Sequence, residues 1–422
     1  MAPGRFIWIA LGALSIAFHL GLIFSGLVPN LFARPLHMAL ALPWVFLFGA
    51  KSLPMRISGL VLTTLGLIAA LYIALNESSL ADQYGSLNGQ WQTIVAAILI
   101  LVTLEMARRA VGWPLPLVAF LTLLYGLFGQ YIPGEFGHPE IPLSSFLGNL
   151  TIAEGGLWGK LTGVSVSIVA IFVIMGAVLN SGEAGQGFMN LATAAAGRLK
   201  GGAAKVATLS SALFGSISGS ASANVASTGA ITLPAMTKLG YPKALAGAVE
   251  AVASSGGQIM PPLMGAGAFV MVELTGVPYT GIMAAALLPA ILYFVTVWMG
   301  INAFARRHDL KGLPSEEQPA RRDVLITTGF FAVPFLILLQ QMFISGATPQ
   351  YAACVAILAG FLLLFLDGRL TFSLSRTIAR LEKTCLATGQ QIAMIASIIL
   401  CASIIIGVLG ATGLGVKITS LI

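Results

Sequence analysis

Charge is scarce in this chain: Asp, Glu, Lys and Arg together make up 9% of 422 residues, against 57% hydrophobic residues. So little charge cannot cover a water-soluble surface, which excludes the soluble fold classes at once. Cysteine is rarer still. Cys354, Cys385 and Cys401 lie scattered in apolar sequence without CxxC or metal-ligand spacing, and read as small core hydrophobes. No GxxxxGK[ST] loop occurs, which argues against ATP as an energy source, and no cofactor-binding motif is read. The 22 Lys and Arg against 15 Asp and Glu give a net +7. With a mean hydropathy of +0.92, that excess belongs to cytoplasmic loops and lipid headgroups, and no nucleic-acid footprint is seen. The first apolar run, Ile7 to Val28, is long enough to span and lacks a small-residue cleavage site, so it is expected to remain in the mature protein.

What the chain has in abundance is apolar runs of membrane length, and the placement of Lys and Arg gives them a direction. Spans are expected at about Phe6–Val28, Leu36–Ala50, Ile57–Leu75, Trp91–Leu104 and Trp113–Tyr131. Arg5, Lys51 with Arg56, and Arg108 with Arg109 mark the cytoplasmic side; Arg34 and His37 fall on the wrong side of this rule. Trp91, Trp113 and Tyr131 need only an aromatic-belt explanation. Ser144–Trp158 reads as an interfacial arm and Lys160–Leu179 as the next span. Further on, Tyr279–Phe304 leads to a basic cytoplasmic loop at about 305–323, followed by spans at Val324–Ile344, Tyr351–Leu366 and Ile392–Leu409.

Two stretches in the middle do not fit a continuous apolar helix: LFGSISGSASANVASTGAITLP and AVEAVASSGGQIMPP. Basic residues flank the first at both ends, Lys205 before it and Lys238 with Lys243 after it. A single crossing would put one of those ends outside, so a re-entrant hairpin over about 206–234 is expected, turning at Ser218–Asn224. In the second, Ala244–Ser255 and Leu263–Leu274 are each too short to span, and joined through GGQIMPP they form one interrupted helix over about 244–274. Gly256 and Gly257 admit unusual backbone angles, and Pro261 and Pro262 donate no amide hydrogen. Two such breaks close together point to a transport site, where half-helix N-termini attract anions and freed carbonyls coordinate cations.

The segment starting at Val178, VLNSGEAGQGFMNLA, is weakly repeated as VLGATGLGVKITSLI from Val408, an offset of 230 residues with one gap. The first copy ends an inward span and the second an outward one, the pattern of an inverted-topology repeat. The fold class expected is therefore an all-α polytopic membrane protein, the first half of an inverted-repeat, elevator-type transporter. The counterpart of the hairpin would begin just beyond Ile422, so a longer protein is expected.

The run GGAAKVATLSSALFGSISGSASANVASTGAITLPAMTKLGYPKALAGAVEAVASSGGQIMPPLMGAGAFVMVELTGVPY closely resembles the large membrane subunit of tripartite ATP-independent periplasmic (TRAP) transporters. EMARRAVGWPLPLVAFLTLLYGLFG resembles the end of the small-subunit part in fusions of the two subunits, particularly those working with TAXI-type binding proteins. The resemblance implies a small-subunit-like scaffold over 1–142 and the N-terminal part of a large-subunit-like transport domain over 143–422. It also implies a bacterial inner-membrane permease in which sodium is the coupling ion and a periplasmic TAXI-type solute-binding protein delivers the substrate. Substrates of similar systems are small organic acids, including dicarboxylates, keto acids and amino acids. The chain departs from the family in lacking the second hairpin and second interrupted helix.

Within the breaks, Ser216, Ser218, Ser220, Ser222 and Asn224 gather hydroxyl and amide oxygens around Gly219, in a turn able to offer carbonyls to sodium or amides to a carboxylate. Gly256, Gly257, Gln258, Met260 and Pro261 form the expected opposite wall, and sodium is expected at Ser218, Gly219, Ser220, Asn224 and Gly256. Glu250 joins the set as an intramembrane carboxylate. Against these readings stand close helix packing by small residues, an interfacial position for Glu250, and a solvated one for Glu273. A different class is raised by GSISG at Gly215–Gly219, which is compared with the GxSG pattern of rhomboid-type intramembrane proteases but sets its first glycine one residue too far from Ser218. Such a serine needs a base in reach, and His19, His37, His138 and His308 include none on a span downstream of Ser218. A passive anion channel is the third reading. Replacing Ser218 by Ala should alter transport and leave no proteolysis of a membrane substrate to lose; cleavage that disappears with the hydroxyl would reverse that assignment.

Overall fold

The structure, a computed structural model, describes residues 3–26, 28–262 and 264–420. Its helices, in chain order, begin with α1 (Pro3–Ser25), α2 (Asn30–Phe46), α3 (Leu53–Leu75), α4 (Glu77–Ala81), α5 (Gly89–Val111), α6 (Pro114–Phe128), α7 (Leu143–Thr151) and α8 (Lys160–Val164). There follow α9 (Ala170–Ser181), α10 (Ala184–Ala196), α11 (Gly202–Ser218), α12 (Ala221–Lys238), α13 (Lys243–Gly256) and α14 (Ala266–Thr275). The last are α15 (Tyr279–Arg307), α16 (Arg321–Leu339), α17 (Pro349–Leu363), α18 (Leu374–Thr412) and α19 (Leu414–Thr419). Among the described residues there is no β-strand, and seven helical segments are long and apolar enough to cross a membrane. The expected all-α polytopic class is the one observed. Backbone contacts divide the chain into two compact units, residues 1–170 with 386–422, and residues 171–385.

In the first unit, α2 packs on α3, α3 on α5, and α5 on α6 and α7. Phe46, Leu99, Met106, Phe146, Leu150 and Trp158 are buried in its core together with Leu400, Ile404 and Val408 of α18. Within Ser144–Trp158, α7 buries Phe146 and Leu150 in that core, and Trp158 donates its indole N–H to the Thr151 carbonyl at 2.6 Å. Arg34 and His37 lie inside α2, where internal partners replace the solvent that the charge rule assumes. The Arg34 guanidinium donates to the Trp158 carbonyl and pairs with Glu154 at 3.0 Å. His37 is fully buried between His19, at 2.8 Å, and the Ser165 hydroxyl, at 3.0 Å.

In the second unit, α10 lies against α11 and α16, and α16 against α17. The sequence reading passed over α10 because its small residues carry little hydropathy; what fixes it is close approach, a Cβ on Gly187 falling 2.3 Å from the Thr327 carbonyl oxygen. It also began the last span too late. The helix runs from Leu374 because Arg380, which reads as a loop cation, is satisfied internally by Glu183 and by the carbonyls of Leu364 and Leu366.

The first break is a helical hairpin. α11 ends where Gly219 takes φ +59 and donates to the Gly215 carbonyl at 3.1 Å, an αL cap that only glycine adopts cheaply. Ser220 then caps α12, its hydroxyl accepting from the Ala223 amide at 3.3 Å. The turn is therefore tighter than the seven residues expected, and helix resumes at Ala221. α11 and α12 pack on one another, so the chain doubles back. In the second break, α13 gives way to a 3-10 turn over Gly257–Ile259 and an open segment closed by the Gly265 amide on the Gln258 carbonyl at 2.7 Å. Leu263, within that segment, and the Glu273 side chain lie outside the described residues. Hairpin and interruption meet at glycine, where a Cβ on Gly215 would lie 2.1 Å from the Gly257 Cα. Gly215→Ala should therefore destabilise the purified protein by about 1–3 kcal/mol. Gly247→Ala on α13, with nothing within 4 Å, should instead stabilise it by about 0.5–1 kcal/mol. Thermal unfolding in detergent reads both, and equal behaviour of the two variants would contradict the close approach.

Candidate functional site

The site is built where the hairpin tip enters the helix break. A Cβ on Gly219 would fall 1.9 Å from the Met264 carbonyl oxygen, and one on Gly265 would fall 3.3 Å from the Gly219 carbonyl oxygen. These backbones thus lie in contact. Among the described residues no backbone amide donates to the carbonyl of Gly219 or of Met264. Among the described residues the buried Ser218 hydroxyl has no hydrogen-bond partner, histidine included. Met264 has φ +51, a left-handed angle sparsely populated by residues with a side chain and concentrated at functional sites. Four helix ends converge here: the C-termini of α11 and α13, and the N-termini of α12 and α14, neither of which has an acid in its first turn. Paired N-termini offer amides and positive potential, and paired C-termini offer carbonyls and negative potential.

The residues singled out from sequence take different positions around this contact. Ser216 spends its hydroxyl on the Leu213 carbonyl of its own helix, at 2.7 Å. Ser220 and Ser222 lie 3.3 Å apart at the start of α12, with Ser222 exposed. Gly256 and Gly257 are buried, Gln258 is exposed, and Met260 and Pro261 are half-buried. Asn224 is fully buried beneath the tip. Its amide donates to the Ser211 carbonyl at 2.8 Å and approaches that of Ser254 at 3.5 Å, so it braces the turn against both neighbouring helices.

Glu250 lies one layer deeper, 1% exposed, in a cage of hydroxyls. Thr228 and Thr232 each approach one carboxylate oxygen at 2.5 Å, and Ser254 donates at 3.3 Å. Ser211 links Thr228 to Ser254 at 3.3 and 3.4 Å. The sequence reading missed Ser211, Thr228, Thr232 and Ser254. A signal was present: Asn224, Thr228 and Thr232 recur every four residues, as do Glu250 and Ser254, which places each set on one helix face.

Thr232 also lines a cavity of about 540 Å³ whose wall includes Glu183, Asn190, Glu316, Glu317 and Asp323. At its rim Lys238 pairs with Glu317 at 2.7 Å, and that hydrogen bond raises the Lys238 ammonium above the ordinary lysine range. The network is asymmetric. Thr228 and Thr232 also have the carbonyls of Asn224 and Thr228 within 2.8 and 3.0 Å, whereas the donors resolved on the carboxylate are hydroxyls. Converting both threonines to valine should cost about 3 kcal/mol or more by stranding a buried carboxylate. Adding Glu250→Leu to that background should recover much of the loss. Unfolding of the purified variants measures this, and a triple variant no more stable than the double would remove Glu250 from the centre of the network.

The family described as the Tripartite ATP-independent periplasmic transporter, DctM component, matches residues 98–422. The C4-dicarboxylate TRAP transporter large permease protein DctM of Pseudomonas aeruginosa is 29% identical over 48% of this chain and 48% of its own length. The Uncharacterized protein y4mL of Sinorhizobium fredii is 27% identical over 62% of this chain and 58% of its own length. The Ectoine TRAP transporter large permease protein TeaC of Halomonas elongata is 23% identical over 70% of this chain and 66% of its own length. The chain spans about half the length of the first two of these curated relatives. Since the family match extends over most of its residues, and apolar helices long enough to span recur along it, the chain belongs to the DctM family of TRAP transporters, multi-pass proteins of the bacterial inner membrane.

Proposed function

We propose that this chain is the permease component of a secondary transporter that takes up small organic anions together with sodium, delivered by a periplasmic TAXI-type solute-binding protein. One observation carries the reading: carbonyls at Gly219 and Met264 that no backbone amide among the described residues reaches, and a Ser218 hydroxyl without a partner among those residues, lie where the hairpin tip touches the helix break. Away from water, each unsatisfied backbone group costs several kcal/mol, and a cation that exchanges its hydration shell for such oxygens relieves several at once. In this reading sodium binds at Ser218, Gly219, Ser220 and Gly256, with Asn224 bracing the turn that carries them. The N-termini of α12 and α14 take the carboxylate of the anion, so cation and anion neutralise one another in one site and neither is favoured alone. That mutual dependence is what couples their movement.

The substrate class draws on the relatives' names, which include a C4-dicarboxylate and an ectoine permease, and on the absence of acids from both helix N-termini. A scaffold over 1–142 and a transport domain over 143–422 remain the proposed division of labour. Proteoliposomes holding the full-length protein, with its binding protein and a sodium gradient, should accumulate labelled small organic acids. Uptake should fail without either component. Ser218→Ala should raise the sodium concentration for half-maximal uptake about tenfold, the factor for losing about 1.4 kcal/mol. Uptake that continues unchanged in potassium would refute sodium coupling.

A further inference from the structure

α15 carries two tyrosines, at 279 and 293, whose hydroxyls reach the interrupted helix at two separate points. Tyr279 donates to the carbonyl of Pro262, in the open segment. Tyr293 donates to the carbonyl of Val252, inside the last turns of α13, at 2.7 Å. Both rings are held in place. Tyr279 is 4% exposed and lies beside Phe172, with ring centroids 5.7 Å apart. The Tyr293 ring fills the space above Gly256, where a Cβ would come within 2.3 Å of its Cε1.

The two carbonyls differ in what they would do without a tyrosine. Val252 is helical, so Tyr293 uses the second lone pair of an oxygen already within α13. Pro262 lies where the helix has opened, and no backbone amide among the described residues donates to its carbonyl. A carbonyl left so, away from water, turns toward whatever donor or cation is near. Tied to Tyr279 it cannot, and the opening is held within itself at Pro262 and, just before it, where Tyr293 bonds Val252 and covers Gly256 at the end of α13. Because the pins come from a neighbouring helix and not from the break itself, they leave the carbonyls at the hairpin contact free.

We propose that Tyr279 and Tyr293 are positioning residues that splint the interruption open from α15, so that ion affinity depends on two hydroxyls that never touch the ion. This rests on the transport reading above and adds to it the cause of the break's fixed shape. Tyr279→Phe keeps the ring and its Phe172 neighbour and removes only the donor. It should raise the half-saturating sodium concentration about tenfold, the factor for one hydrogen bond of ordinary net strength. Maximal uptake should stay within about twofold, since a lost ground-state interaction moves affinity before turnover. Tyr293→Phe should act in the same direction and more weakly, and Tyr131→Phe in the first unit should change neither quantity.

Hydrogen exchange on the purified full-length protein supplies a readout independent of uptake. Tyr279→Phe should speed exchange at amides 257–265 in sodium-free buffer, leave 203–218 unchanged, and return toward wild type at saturating sodium. Unchanged exchange at 257–265 overturns the splint. Faster exchange with an unaltered sodium requirement overturns the link to affinity. Should the wild type itself show no sodium-dependent uptake, the transport reading falls, and the splint is then decided by exchange alone.

Discussion

Backbone that leaves the helix at membrane depth must find partners within the protein, and the central part of this chain is organised around that requirement. The hairpin turn and the helix break each expose groups a continuous helix would have used internally. Part of the demand is met where the two meet: Asn224 bonds a carbonyl of α11 and reaches one of α13, and the Gly265 amide closes back on Gln258. Part is met from α15, through Tyr279. What remains is a small set of oxygens at one contact, where the proposed ion site lies.

Close approach is what makes this possible. Gly215 and Gly257 bring helix and break within backbone contact, so side chains of ordinary size are excluded from where carbonyls must gather. Beneath the contact, Glu250 and its hydroxyls tie α12 to α13. A hydroxyl can turn to donate or to accept, so the network tolerates polar content at a depth where fixed donors or unpaired charge would be costly. The acid-lined cavity reaches this network through Thr232.

Much of this was legible beforehand, for reasons specific to each element. Low charge and long apolar runs decide the class because they decide the solvent. The hairpin follows from Lys205 and Lys238 flanking a Ser/Gly tract, since both ends must favour one side, and the interruption from GGQIMPP, which cannot hydrogen-bond as a helix. Failures came where a residue's partner is distant in sequence. Arg380 reads as loop charge until Glu183 is placed beside it. Arg34 and His37 violate the charge rule until Glu154, His19 and Ser165 enclose them. α10 is a helix without strong hydropathy, held by packing on α11 and α16.

From sequence alone came what local chemistry compels: an all-helical membrane protein, two places where helix must stop, and glycine, serine and proline as the means. Those properties depend on residues a few positions apart and on the solvent they face. Only the tertiary structure could decide that Gly219 meets Met264, that Asn224 serves as a brace, that the hydroxyls of Thr228, Thr232 and Ser254 surround Glu250, and that a tyrosine of α15 bonds a carbonyl of the break. Those depend on separate helices reaching a common point, and a linear pattern of residue types carries no record of which faces will meet.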